Sequence, residues 1–278
     1  MFRRFSSQFL GMNSGVIYQG HAAYVIDPGV FPQEVRKIKD FLKKENLEQI
    51  TVLLTHTHGD HISGWFAFKD YPTYGHKCIS RKSREVRDND VRYLMGMYRK
   101  QGIEDTDDLV FPEPIIYLED GIEETIPPYT FIFYHVPGHS PDMSAIVIPE
   151  EKMLFSGDML IQGPTPFILH STRLYWKSLQ RFQELVDHYD LNCLIPGHGK
   201  PARSRNEIME RIEHEKKYLK NLVWEGLKLA QAGLDKGEIK TQLTNLNNHF
   251  ARTHAHQANV QTFMRELEEW LDEEVMVF

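Results

Sequence analysis

Cysteine is nearly missing: 278 residues contain only Cys78 and Cys193. The two form no spaced metal pattern and no disulfide framework, and read as buried, reduced thiols of a cytosolic protein. An excess of positive charge is missing as well. The formal net charge is -7, so no global basic field draws nucleic acid or anionic lipid, and neither partner is expected. No apolar run approaches the ~20 residues of a membrane span. No long apolar stretch follows the two arginines near the N-terminus, and the cytoplasm is the expected compartment. Fixed-period repeats and low-complexity segments are lacking too. What is present, 41% hydrophobic and 26% charged residues, is ordinary globular composition at a length suited to one large domain, or to one domain with a smaller appendage.

Along the first two-thirds, short apolar runs alternate with amphipathic stretches. Ala23 to Asp27 reads as a strand that Pro28-Gly29 turns out of. Pro32 opens a helix with Val35, Ile38, Phe41 and Leu42 on one face. Ile50 to Leu54 is a strand apolar on both faces, as in a sheet covered by helices. Ser80 to Asp108 is charged, helical or irregular, and reads as a flap or a solvated insertion. Strand signals resume at Tyr129 to Val136, Ser144 to Pro149 and Lys152 to Asp158, followed by a helix near Leu174 to Tyr189 and a last strand and turn at Leu191 to Gly199. From Arg205 the character becomes charged and helical, with a second helix over Val260 to Glu274. A boundary near Ser204 gives a catalytic domain over 1–203 and a helical appendage over 204–278.

The strong polar signals follow the strands. Asp27 ends the first, "HTHGDH" (His56 to His61) follows the second, and His139, Asp158 and His198 come after later ones. Strand-end loops are where sites form in layered α/β folds. Pro-Gly before His139 and His198 supplies a turn that swings the next side chain over the sheet edge. Five imidazoles and two or three carboxylates exceed the four or so ligands of one zinc ion. They suit two ions a few ångströms apart that share a hydroxide. His56, His58 and His139 are assigned to the first ion, and Asp60, His61 and His198 to the second, with Asp158 bridging. Asp27 is either an orienter behind the ligands or a turn former.

The order Asp27, His56-His58-Asp60-His61, His139, Asp158, His198 resembles the metallo-β-lactamase superfamily, over roughly residues 15–200. The resemblance implies an α/β fold, a four-layer αββα sandwich with the dinuclear site at one edge, here with a small C-terminal helical region. Asp158 stands where the best-known β-lactamase subclass has Cys, and His58 where flavodiiron proteins have Glu. The set with "PGHG" at the end is similar to the glyoxalase II-like hydrolases, many of which carry a C-terminal helical or winged-helix appendage. Glyoxalase II itself usually has His at the position of Thr57.

The expected activity is a dinuclear metal-dependent hydrolase acting on a small-molecule ester, thioester or lactone through a metal-bridging hydroxide. Zinc is the first choice of cofactor, two ions per chain, with iron or manganese as alternatives. Asp60 doubles as the catalytic group that accepts the hydroxide's hydrogen bond. His170 and Tyr175 are candidates for substrate contact or leaving-group acid, against a reading as solvated and core residues. His135 reads as structural, and His249, His254 and His256 as a solvated loop or helix surface. The alternatives are an endoribonuclease or phosphodiesterase on the same site, and a metal-bound protein without turnover.

Overall fold

The computed structural model describes residues 1–104, 106, 109–246 and 253–272. These sort into two compact units interleaved in sequence. The first comprises Met1–His135, Asp142–Gly157 and Ile195–Lys200, and the second Val136–Pro141, Asp158–Leu194 and Pro201–Phe278.

In the first unit, one sheet runs β1 (Phe2–Ser6), β2 (Asn13–Gln19), β3 (Ala22–Ile26), β4 (Gln49–Leu54), β5 (Thr73–His76), β6 (Ile116–Leu118) in that spatial order. The first three strands are antiparallel neighbours, whereas β3 to β6 are parallel. All of β3 is buried, and so are the last four residues of β4. These strands are paired on both sides and apolar on both faces, and each buried Val, Ile or Leu contributes roughly 1.5–3 kcal/mol. A second sheet lines up β7 (Glu123–Ile126), β8 (Tyr129–His135), β9 (Ser144–Ile148) and β10 (Met153–Phe155), all antiparallel. Ile195 borders β10, its carbonyl accepting from the Ser156 N–H.

The two sheets meet at Tyr24, whose ring lies 4.6 Å from that of Phe131 and whose hydroxyl donates to the Ile126 and Pro127 carbonyls. Helix α1 (Pro32–Lys44) packs Val35, Ile38 and Leu42 onto the first sheet. Its buried Glu34 accepts from Ser7 Oγ, Gln8 N and Phe31 N, so the carboxylate is hydrogen-bonded as burial requires. Short α2 (Gly59–Ile62) follows β4, and the charged middle segment forms α3 (Arg84–Lys100). Asp105, Asp107 and Asp108 of that segment lie outside the described residues.

The second unit is helical. It contains α4 (Thr172–His188), α5 (Arg205–Gln231), α6 (Lys236–Thr244), α7 (His254–Arg265) and α8 (Leu267–Asp272), with β11 (Cys193–Ile195) at its margin. The expected single helix over 260–274 is two, divided at Glu266. That side chain accepts from Thr172 N at 2.7 Å and from the Thr172 hydroxyl, capping the start of α4 where a negative charge is favoured. Among the described residues, no helix is long and apolar enough to cross a membrane.

Candidate metal centre

Parallel strands β3 and β4 end side by side, so Asp27 and the segment after Leu54 emerge at one sheet edge. Asp27 has φ +48°, and its carboxylate is a hub. Oδ1 accepts from Thr55 N at 2.9 Å, and Oδ2 accepts from the Thr55 hydroxyl at 2.7 Å and from His61 Nδ1 at 2.8 Å. With its own proton committed to Asp27, the Thr55 oxygen accepts from His56 Nδ1 at 3.1 Å. One carboxylate thus sets two imidazoles, both fully buried.

The histidines of this unit lie close together. Ring centroids are 4.1 Å apart for His56 and His61, 4.8 Å for His56 and His58, and 5.7 Å for His61 and His198. Asp60, His61 and His198 offer ligand atoms all within 4.8 Å of one another, and the same limit holds for His56 with His58. The "PGHG" turn is held by Asn13, whose amide donates to the Pro196 and Gly199 carbonyls at 2.8 Å each. His198 Nδ1 reaches Leu10 O at 3.2 Å, and its Nε2 lies 3.1 Å from Asp60 Oδ2. Sequence reasoning missed Thr55, Thr57 and Asp142. Asp142 Oδ2 accepts from Thr57 N at 2.9 Å and from its hydroxyl at 2.5 Å, fixing the backbone between His56 and His58, and Lys82 lies 3.2 Å from the same oxygen. The threonines alternate with the histidines, a period-two signal for the opposite side of an extended segment.

In the second unit, His139 and Asp158 come together. His139 Nδ1 donates to Phe167 O at 2.6 Å, and its Nε2 lies 3.4 Å from Asp158 Oδ2. Gly138 precedes them with φ +141°, and a Cβ there would lie 2.5 Å from Tyr175 Cα, so glycine alone fits. Tyr175 is fully buried and donates to Glu215 Oε2 at 2.8 Å. Burial first, and the Glu215 charge next, push its pKa well above the usual tyrosine value. His170 is exposed, its backbone N–H on Gly138 O. His256 departs from the expected solvated surface: it is buried, taking a hydrogen bond from the Tyr218 hydroxyl at 2.8 Å and donating to Leu243 O at 2.9 Å. His254 is exposed as expected, and His249 lies outside the described residues.

Hydrogen-bond direction decides what these rings can do. Carbonyls and carboxylates only accept, so Nδ1 of His61, His139 and His198 carries the ring proton, and Nε2 of a neutral ring is a lone pair. His198 and His139 nevertheless aim Nε2 at carboxylate oxygens. Two acceptors keep such a position only with a cation or a second proton between them. Rings as close as those of His56 and His61 would repel if all were imidazolium. A divalent ion meets the demand, and imidazole nitrogen with carboxylate oxygen suits zinc and its neighbours in the first transition row. Nδ1 anchored on an oxygen is how metal-binding histidines are oriented. The donor set fits a metal.

A family model described as the metallo-beta-lactamase superfamily matches residues 8–198. The chain belongs to this superfamily. It is 27% identical to the beta-lactamase-like protein 2 homolog of Caenorhabditis elegans over 77% of this chain and 64% of that protein. It is 24% identical to a hydroxyacylglutathione hydrolase of Tolumonas auensis over 95% of this chain and 90% of that one. Among solved structures, a metallo-beta-lactamase family protein from Thermus thermophilus shares the fold, with a TM-score of 0.69 at 20% identity over 96% of this chain and 93% of that one. The superfamily's α/β sandwich is therefore the fold of this chain. The chain spans 64, 61 and 55% of the length of the first three curated relatives it matches.

Proposed function

We propose that this superfamily member is a metal-dependent hydrolase holding two divalent ions, zinc before iron or manganese. His56, His58 and His139 would hold one ion and Asp60, His61 and His198 the other, with Asp158 available to both. The observation that carries the reading is the shared setting of His61, His139 and His198, each with Nδ1 tied to oxygen and Nε2 within 3.9 Å of a carboxylate oxygen. When bound, the ions supply Lewis acidity and a water acidic enough to attack at neutral pH.

The chain's own residues supply the rest. Asp60 accepts a hydrogen bond from the attacking water and fixes its direction. Asp27 and Thr55 hold His61 and His56 in the tautomer that leaves Nε2 available. Asp142 keeps the segment between them extended. The Tyr175 proton is committed to Glu215, which removes it as a ready acid for a poor leaving group. A thiolate leaves without such help, because a thiol's pKa of ~8.5 is close to neutrality. A small-molecule thioester is therefore the first choice of substrate, with activated esters and lactones next and phosphodiesters behind. The relative named as a hydroxyacylglutathione hydrolase supports that order, since an acylglutathione carries its acyl group on a thiol and nearly all of both chains is covered. The net charge of -7 weighs against RNA. Two cysteines outside any disulfide, with the Cys78 thiol pushed up to about 12 by burial, agree with a reducing compartment such as the cytoplasm. Residues 1–203 would carry the chemistry and 204–278 serve as the appendage.

Metal-replete protein assayed by elemental analysis, and against thioesters, lactones, phosphodiesters and RNA, tests the reading. The expected result is two ions per chain and thioester turnover ahead of the others. Turnover of RNA alone, or binding of no metal, would overturn it.

A further inference from the structure

The turn that begins at Asp158 is held from its far side by helix α5. Leu160, two residues on, sits at φ +56°, a left-handed conformation that a leucine keeps only where its surroundings impose it. Arg211 Nη1 donates to the Leu160 carbonyl at 3.1 Å. One helical turn further, on the same face, is Glu215, which is 2% exposed. Its Oε2 accepts from the Tyr175 hydroxyl at 2.8 Å, and its buried Oε1 makes no hydrogen bond. Arg211 thus ties the carbonyl of the turn, and Glu215 ties Tyr175 beside it. Tyr175 in turn backs Gly138, next to His139.

A buried glutamate and a half-buried arginine are costly ways to fill space, and an apolar pair of similar volume often serves stability as well or better. What an apolar pair cannot do is hold the Leu160 carbonyl on one side and the Tyr175 hydroxyl on the other. The same helical tail fixes the loop that follows. The Asn259 side chain accepts from Ile168 N at 2.7 Å and donates to Pro166 O at 2.8 Å, flanking the Phe167 carbonyl that receives His139 Nδ1.

We propose that Arg211 and Glu215 are positioning residues, holding the strained turn after Asp158 so that its carboxylate faces His139. This rests on the metal-site reading above. The α5 helix is then part of the metal centre's framework, although none of its side chains is a ligand.

The test uses the full chain stripped of metal, with zinc affinity measured by chelator competition, the visible spectrum of the cobalt(II)-loaded protein, and melting of the metal-free form. Arg211→Met and Glu215→Ala are expected to weaken zinc binding about 10- to 100-fold, as loss of an outer support typically does, and to shift the cobalt bands. Glu215→Gln, which keeps an acceptor in the same shape, should restore most of the affinity. Lowered melting with unchanged affinity and spectrum would overturn the proposal, because a merely structural tie moves only the melting point. If Arg211→Met and Glu215→Ala do not fold, Tyr175→Phe loosens Glu215 alone, and an unchanged cobalt spectrum there is equally decisive against it. Wild-type protein that binds no metal overturns the underlying reading; wild type that binds two ions, with variants indistinguishable from it, overturns only this one.

Discussion

Asp27 and His61 are joined by a 2.8 Å hydrogen bond in a place where neither reaches bulk water. The same carboxylate also holds Thr55, and through it His56, so a residue outside the proposed ligand set governs two residues inside it. Asp27→Asn keeps the shape but places an amide N–H opposite the ring or breaks the bond to Thr55. Zinc affinity is expected to fall about 10- to 100-fold in Asp27→Asn, and by no less in Asp27→Ala. Chelator competition measures it. Affinity unchanged in both variants would reduce Asp27 to a turn former.

Asp158 and His198 should differ in what they cost. On the proposed assignment, Asp158→Ala would remove a carboxylate shared by two cations and leave them with less compensating charge, so both ions are expected to be lost. On the same assignment, His198→Ala would remove one neutral ligand and leave His56, His58 and His139 in place, so the loss should be partial and confined to one ion. Hydrolysis should fall in both. Metal titration with bound stoichiometry and rate followed together decides the matter. Full activity in Asp158→Ala would remove the bridge, and two ions retained in His198→Ala would remove His198 from the second site.

What could be read from the sequence tracks how locally each feature is encoded. Strands β3, β4, β8 and β9 are buried apolar runs, and α1, α4 and α5 carry a helical stripe, so each is visible in its own window. Strand β1 is not, because "FRRFS" at a sheet edge is largely exposed, and β6 is only three residues long. The seven ligand candidates stand out in the sequence because each follows a strand. His56, His58, Asp60, His61 and His198 do gather in the first unit, and His139 meets Asp158 in the second. The Asp142 bond to Thr57 joins residues 85 apart, with no spacing pattern to announce it. His256 misled for a similar reason: its partners Tyr218 and Leu243 lie on other helices, so a polar residue that looked solvated is enclosed.

Asn259 should be the most sensitive polar residue of the tail. It is fully buried and makes three hydrogen bonds, with Ile168 N, Pro166 O and Tyr218 Oη. Asn259→Ala strands a buried amide and a carbonyl, each costing about 1–3 kcal/mol. A loss of roughly 2–5 kcal/mol in urea unfolding is expected, with the slope against urea unchanged. A loss below ~1 kcal/mol would mean that the 166–168 loop is not held by this side chain.

Glu215 should leave its mark on the pH dependence of stability. Burial pushes its carboxyl from 4.5 up to about 7, against the opposing pull of the Tyr175 hydroxyl, the Leu160 and Ile161 amides and the Arg211 guanidinium. Below about 4.5 the group is protonated in both folded and unfolded chains. Between there and about 7 the unfolded chain ionises while the folded one keeps its proton, so the folded state binds more protons and stability falls as pH rises. Above about 7 both forms are ionised and the loss is complete, on the order of 3 kcal/mol for a shift of this size. Glu215→Gln cannot ionise and lacks that loss. Other groups titrate alike in the two proteins, so the stability of Glu215→Gln minus that of wild type isolates the effect. The difference is expected to rise in favour of the variant by most of that amount from about pH 5 to 8, measured by urea unfolding of metal-free protein. A difference that stays flat over this range would show that Glu215 does not titrate there, and a difference that moves toward wild type would show that its folded pKa is depressed instead.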